Sequence, residues 1–308
     1  MTILDEHIIR PPETPERNEA AKRSTLVSVA VNLVLSTVQI LVGIFSASQA
    51  LIADGVHSLS DLLADFVVLL ANQQSKKEAD EDHQYGHLRY ENAASFLLGM
   101  LLLAVSVGML WTAIVKIQNP EAIPKVHVTA LWVALFALVA KESLFRYMLA
   151  VAERIRSSML IANAWHARSD AASSLVVAVG IIGNLLGYTL LDPIAAFMVG
   201  IMVGRMGWKF AWDALSDLMD RAVSPEEFEA IRVTLQETPG VLGLHDMRTR
   251  KVGDLIIVDV HLELDATLTV LQGHHIATDA SARVMREHPV LNVMTHVDPV
   301  LNGVLIND

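Results

Sequence analysis

Leu51-Ile52-Ala53-Asp54-Gly55-Val56-His57-Ser58-Leu59-Ser60-Asp61, continued four residues later by Asp65, decides how this chain reads. Asp54, His57, Asp61 and Asp65 follow one another at spacings of 3, 4 and 4, which puts all four on one stripe of a helix. The surrounding apolar stretch covers about residues 49–72, enough to cross a hydrocarbon layer of roughly 30 Å. An ionisable group at membrane depth costs roughly 2.5–3.5 kcal/mol on insertion scales. Four on one face are tolerable where that face lines a polar site, so the stretch is predicted as a membrane helix with a functional side.

Five more apolar segments surround it, at about 24–46, 92–116, 127–149, 159–186 and 189–212. The connections at 46–49 and 186–189 are so short that each must join an antiparallel helix pair. Composition agrees: 53% of the 308 residues are hydrophobic and 19% are charged, against about 25% charged in soluble proteins, and the mean hydropathy is +0.42. Residues 1–23 are polar and Pro-containing and lack the apolar core of a cleaved signal; they are expected to form a cytoplasmic tail. Basic residues cluster in that tail, at Lys76, Lys77 and Arg89, and at Arg146, Arg154 and Arg156, against only Lys116 and Lys125 on the other side. Positive charge marks the cytoplasmic side, so both termini are expected there, in a multi-pass protein of a cell inner membrane.

Past residue 213 the pattern changes. Residues 214–308 hold 15 acidic and 7 basic residues, −8 of the net −11. Such a segment repels nucleic acid and attracts cations. Ser224-Pro225-Glu226-Glu227 is a helix start with a capping box, and that helix should end near Thr238-Pro239-Gly240. Strands are predicted at 244–252 and 255–264 around a Val252-Gly253-Asp254 turn, then a helix at about 270–287 and a strand at 291–297. The expected fold is an all-α six-helix transmembrane domain (24–213) followed by a small α+β domain (214–308). The latter has order αββαβ, with both helices on one sheet face.

The fifth segment carries His166 and Asp170, again four apart, in Ala164-Trp165-His166-Ala167-Arg168-Ser169-Asp170. Two facing helices that each give one imidazole and one carboxylate make a set of two nitrogens and two oxygens, which zinc accepts as a tetrahedron. With no cysteine in the chain, a thiolate site is excluded, and a calcium cage would use more oxygens. Arg168 is placed either to neutralise a carboxylate or to reach the interface. Asp54 and Asp65 are candidates for the mouths of a pathway or for supporting roles. Between the second and third segments, Asp80, Asp82, His83 and His87 form a second candidate metal site. No Walker-type glycine loop is present, and the His content of the spans is too low for a dinuclear membrane oxidase, so the chain is read as a transporter rather than an enzyme. A channel or metal receptor remains the alternative from another class.

Ser48-Gln49-Ala50-Leu51 leading into Ala53-Asp54-Gly55-Val56-His57-Ser58-Leu59-Ser60-Asp61 resembles the second helix of the cation diffusion facilitator family. So do Asp82-His83-Gln84-Tyr85-Gly86-His87, His166 with Asp170, Asp192-Pro193, Gly243 to Arg250, and His296-Val297-Asp298-Pro299 at their own places, over about residues 24–300. The resemblance implies a transport site of His57, Asp61, His166 and Asp170, closer to zinc and cobalt handlers than to the manganese group. It also implies zinc sites at Asp80, His83 and His87, and at His245, His261, His274, His296 and Asp298, the latter set spanning a homodimer. Where the family reads His-Gly-Lys-x-Glu, this chain has His87-Leu88-Arg89-Tyr90-Glu91; Arg89 keeps the positive charge and is expected to interlock with Asp220. His275 and His288 fall on no family position. The resemblance further implies alternating access that exports a divalent metal (zinc, or else iron, cobalt, cadmium or manganese). Exchange against protons is expected from the ligands themselves, since metal binding needs neutral imidazole and ionised carboxylate, and the five matching cytoplasmic ligands are expected to act as a metal sensor.

Overall fold

The computed structural model describes residues 15–75, 77, 79–154, 158–253, 255–301 and 304–305. Six long helices come first: α1 Pro15–Phe45, α2 Gln49–Ser75, α3 Arg89–Gln118, α4 Val128–Arg154, α5 Ser158–Leu185 and α6 Leu191–Leu218. At 1.5 Å per residue even the 27-residue α2 and α4 extend about 40 Å. Among the described residues, α1, α3, α4 and α6 contain stretches long and apolar enough to cross a membrane; α2 and α5 match them in length and carry the ionisable residues. The remaining elements are α7 Pro225–Gln236, β1 Gly243–Val252, β2 Leu255–Asp265, α8 Val270–Glu287, β3 Val290–Leu301 and β4 Val304–Leu305.

By packing, the chain divides into two compact units, one of residues 1–66 and 100–208, the other of 67–99 and 209–308. The boundary expected at 213 is a division by composition; packing groups the ends of α2, α3 and α6 with the α/β elements.

In the first unit the two tight connections solve the helix-end problem locally. After α1, Ala47 takes φ +59° and the Ser48 N–H reaches back to the Gly43 carbonyl. After α5, Gly187 takes φ +104° and the Tyr188 N–H does the same to Gly183. Both are left-handed turns that satisfy terminal carbonyls. The start of α2 is capped from a distance: Asp192 of α6, 2% exposed, accepts from the Ser48 hydroxyl at 2.6 Å and from the Gln49 N–H at 2.8 Å. A carboxylate at a helix N-terminus meets both orphan donors and the positive end of the dipole.

Glycines set how closely these helices approach. A Cβ on Gly43 would meet the Ile52 backbone N at 2.9 Å, and one on Gly55 the Ile40 backbone N at 3.0 Å, so α1 and α2 touch nearly backbone to backbone. Gly180 plays the same part between α5 and α6, where a Cβ would lie 2.5 Å from that of Ala195.

In the second unit the sheet order is β1-β2-β3-β4, with β2 and β3 parallel and the other pairs antiparallel. The Ser224–Glu227 capping box forms as expected, and Thr269 with Gln272 makes another at α8. Ile256, Val258, Val260, Leu262 and Leu264 of β2 alternate into one core with Ile231 and Leu235 of α7 and Ala277, Ala280 and Val284 of α8. The odd-numbered β2 residues, His261 and Glu263 among them, therefore occupy the other face. The two-residue β4 is absent from the αββαβ expectation.

Candidate metal centres

α2 and α5 carry the first cluster. His57, Asp61 and Asp170 each offer a ligand atom, all within 4.8 Å of one another. His57, 5% exposed, holds its Nδ1 3.6 Å from Asp61 Oδ2, the result of their i, i+4 spacing. Small Ser58 and Ser60, both buried beside it, let neighbouring helices close over this stretch. His166 lies one turn before Asp170 on α5; its side chain and that of Asp65 fall outside the described residues. Arg168 neither touches a described carboxylate of this cluster nor needs to: its guanidinium stacks 5.0 Å from the Phe145 ring centre and 5.1 Å from that of Trp165, cation–π contacts that house the charge.

Asp54 does not line a mouth. It is fully buried and accepts hydrogen bonds from Lys141, Ser173, Ser174 and Gln39. Sequence reasoning missed all four donors. The available signal was Lys141 itself, a cation near the middle of the apolar stretch 127–149.

The second cluster sits in the loop before α3. Asp80 Oδ2 lies 3.3 Å from His87 Nε2 and its Oδ1 lies 3.6 Å from His83 Nδ1, while the two imidazoles are 4.6 Å apart. The His83 backbone N–H, donating to Asp80 at 2.7 Å, is the main influence holding that carboxyl below its ordinary pKa, with both imidazoles adding to it. Asp80 therefore stays ionised at neutral pH. Asp82 contributes its backbone N–H to Asp80 and belongs to no ligand group found among the described residues. Arg89 places a guanidinium nitrogen 2.5 Å from Asp220 Oδ1 and donates to the Leu218 carbonyl, with Arg250 3.9 Å from the other Asp220 oxygen.

The third cluster is a row across three strands. His245, His261 and His296 sit opposite one another in the β1–β2 and β2–β3 registers, and Glu263 sits opposite Asp298. Asp298 is the hub: its carboxylate lies 3.3 Å from His245, 2.9 Å from His261 and 3.3 Å from His296. Glu263 was not anticipated, and strand alternation could have found it, two residues from His261 on the same face. It reaches His245 Nδ1 at 3.0 Å, and it does so over Gly243, where a Cβ would strike its carboxylate. A bulge between His245 and Arg248, with Asp246 at φ +47°, closes the row. His274 is elsewhere. On α8 it lines a cleft of about 450 Å³ with Asp265, Thr269 and Thr295, so one chain alone does not bring it to the row. His275 adjoins it, and His288 meets the Thr234 hydroxyl at 2.8 Å.

Carboxylates and imidazoles grouped at this spacing can hold divalent metals, and the group of His57, Asp61 and Asp170 is buried or half-buried on two long helices. Residues 25–219 match the cation efflux transmembrane domain and residues 223–300 the cation efflux protein cytoplasmic domain. The chain belongs to this cation efflux, or cation diffusion facilitator, family. It is 32% identical over 292 residues to the manganese efflux system protein MneP of Bacillus subtilis, covering 92% of this chain and 98% of that one. Metal tolerance protein C1 of Arabidopsis thaliana is 31% identical over 296 residues, 91% of this chain; the chain spans 63% of the plant protein's length. Magnetosome protein MamB of Paramagnetospirillum magneticum is 32% identical over 248 residues, with 80% and 83% covered. Among solved structures, a cadmium form of the MamM CTD is 23% identical, covering 25% of this chain and 98% of its own at a TM-score of 0.24.

Proposed function

We propose that the protein exports a divalent transition metal, zinc before others, from the cytoplasm in exchange for protons, as a homodimer in a cell inner membrane with both termini cytoplasmic. The observation that carries this is the convergence of His57, Asp61 and Asp170 within 4.8 Å on helices whose surroundings are apolar. With His166, one turn from Asp170, the set is two imidazoles and two carboxylates. Imidazole suits zinc, whereas oxygen-only sets suit manganese. Metal binding needs neutral imidazole and ionised carboxylate, so it releases protons. Histidine titrates near pH 6.5, which lets an emptied site take protons back from a more acidic outer side before it returns inward.

The test is metal-driven proton flux with the purified protein in liposomes, across zinc, manganese, iron, cobalt and cadmium. Zinc-coupled proton movement with the lowest KM is expected. Metal flux without proton movement would favour a channel, and no flux with any metal would favour a receptor. Manganese is the second reading, because two relatives at 32% and 30% identity are named for manganese efflux; a lower KM for manganese than for zinc would select it.

The loop and sheet clusters are read as binding additional zinc, with the sheet row acting as a cytoplasmic sensor and the partner's copy of α8 completing it through His274. His261→Ala combined with Asp298→Ala removes the hub and one imidazole. Metal affinity of the row should fall by at least about tenfold, measured by calorimetry with zinc, and transport at low metal should fall with it. Unchanged transport alongside lost binding would sink the sensor role.

A further inference from the structure

The deepest charges described in the first unit take no part in the metal cluster. The side chains of Asp54 on α2 and Lys141 on α4 are 0% and 3% exposed, with Nζ 3.2 Å from Oδ1. Around them four helices meet. Asp54 Oδ1 also accepts from Ser173 at 3.2 Å, and Oδ2 accepts from Ser174 at 2.6 Å and from Gln39 of α1. Lys141 donates to Ser174 Oγ at 2.7 Å. A hydroxyl carries one proton, so that donation turns the Ser174 proton towards Asp54. Ser173 Oγ lies 2.7 Å from the Asp170 carbonyl oxygen. The assembly thus grips α5 one turn from Asp170, and α2 one turn from His57.

Charge is the reason for such a pair in an apolar unit. A divalent cation held by two carboxylates and two neutral imidazoles is neutral, which suits a low-dielectric site. Asp54, on the same stripe of α2, would add a third negative charge within reach of the cation. Charges a few ångströms apart interact far more strongly there than in water, and one left unpaired is destabilising.

We propose that Lys141 is a resident counter-cation that takes Asp54 out of the metal's charge balance, so that Lys141 and Asp54 are positioning and specificity-determining residues for a divalent cation. This rests on the reading of His57, Asp61 and Asp170 as the transport site. A pair acting only as helix glue would destabilise the fold in each single variant, recover stability in the double, and produce no opposed shifts in KM. A charge-balancing pair behaves otherwise. Lys141→Met leaves excess negative charge beside the site, so the cation is held too tightly and KM and kcat fall together. Asp54→Asn leaves excess positive charge, so KM rises. The double variant is balanced again.

The experiment measures zinc flux into liposomes against zinc concentration for the full chain, in wild type, both single variants, the double variant and Asp61→Ala. The two singles should move KM in opposite directions, each by at least about tenfold, and the double should return to within about threefold of wild type. KM shifts in the same direction, wild-type behaviour of both singles, or a double no better than the worse single would each overturn the proposal. If one single does not elute as a folded protein, the other and the double carry the same comparison. If neither single folds, Lys141→Gln and Asp54→Ser, which keep polar partners for the buried groups, are compared in the same way, and the absence of opposed KM shifts between them overturns the proposal. Zinc flux in wild type that is lost in Asp61→Ala verifies the site independently. Absence of wild-type flux would remove the site reading, and the pair's role with it.

Discussion

Asp170→Ala and Asp61→Ala are each expected to lower metal flux in liposomes by about a hundredfold or more. Replacing even an outer partner of a metal ligand costs roughly 10–100-fold in affinity or activity, and these two carboxylates are offered directly, within 4.8 Å of His57. On the proposed reading each would supply a donor atom and half of the charge that neutralises a divalent cation. Alanine is the best helix former, so α2 and α5 should persist, and chromatography and circular dichroism should match wild type. Asn at either position keeps one oxygen and loses the charge; it should fall between Ala and wild type. A variant that retains a third of wild-type flux with either carboxylate removed would mean that the cation does not travel by this cluster.

The largest expected stability effect lies at the far end of the same helix. Asp192→Ala strands the Gln49 N–H and the Ser48 hydroxyl in a buried place, since the carboxylate now accepts from both. Loss of a helix cap costs about 1 kcal/mol, and a buried donor left without an acceptor about 1–3 kcal/mol more. A combined loss of roughly 2–4 kcal/mol corresponds to a melting point lower by about 5–15 °C, read by thermal unfolding in detergent. Asp192→Asn keeps an acceptor for Ser48 and should recover about half of that. An unchanged melting point in the Ala variant would show that the start of α2 finds other partners.

Local pattern was legible in the sequence, and long-range pairing was not. Six apolar stretches, the Ser224 cap and the β1–β2 hairpin follow from periodicity and turn residues within a few positions of each other. The His57–Asp61 and His166–Asp170 spacings announce a shared face for the same reason, because i, i+4 is written in the chain. Lys141 was not legible as a partner of Asp54, 87 residues away; read alone, a lysine in an apolar helix is as easily a side chain reaching for the interface. Glu263 joins His245 across 18 residues, and its meaning depends on the β1–β2 register. Among the described residues α1 reaches back to Pro15 and α6 runs to Leu218, beyond the apolar limits, because helices continue past the hydrocarbon where hydropathy no longer marks them.

The glycine contacts inside the two hairpins bear on how the chain first enters a bilayer. α1 and α6 are apolar enough to partition alone, whereas α2 carries Asp54, His57 and Asp61, and α5 carries Asp170. Gly43 and Gly55 seat α2 on α1, and Gly180 seats α5 on α6, so each polar helix has an apolar escort joined to it by a turn of a few residues. An insertion machinery that released helices singly would meet the full cost of every charge; one that released them as hairpins would meet a polar stripe already backed by a neighbour. Biogenesis should therefore run in pairs, and Asp54 keeps its charge unmatched until α4 emerges with Lys141.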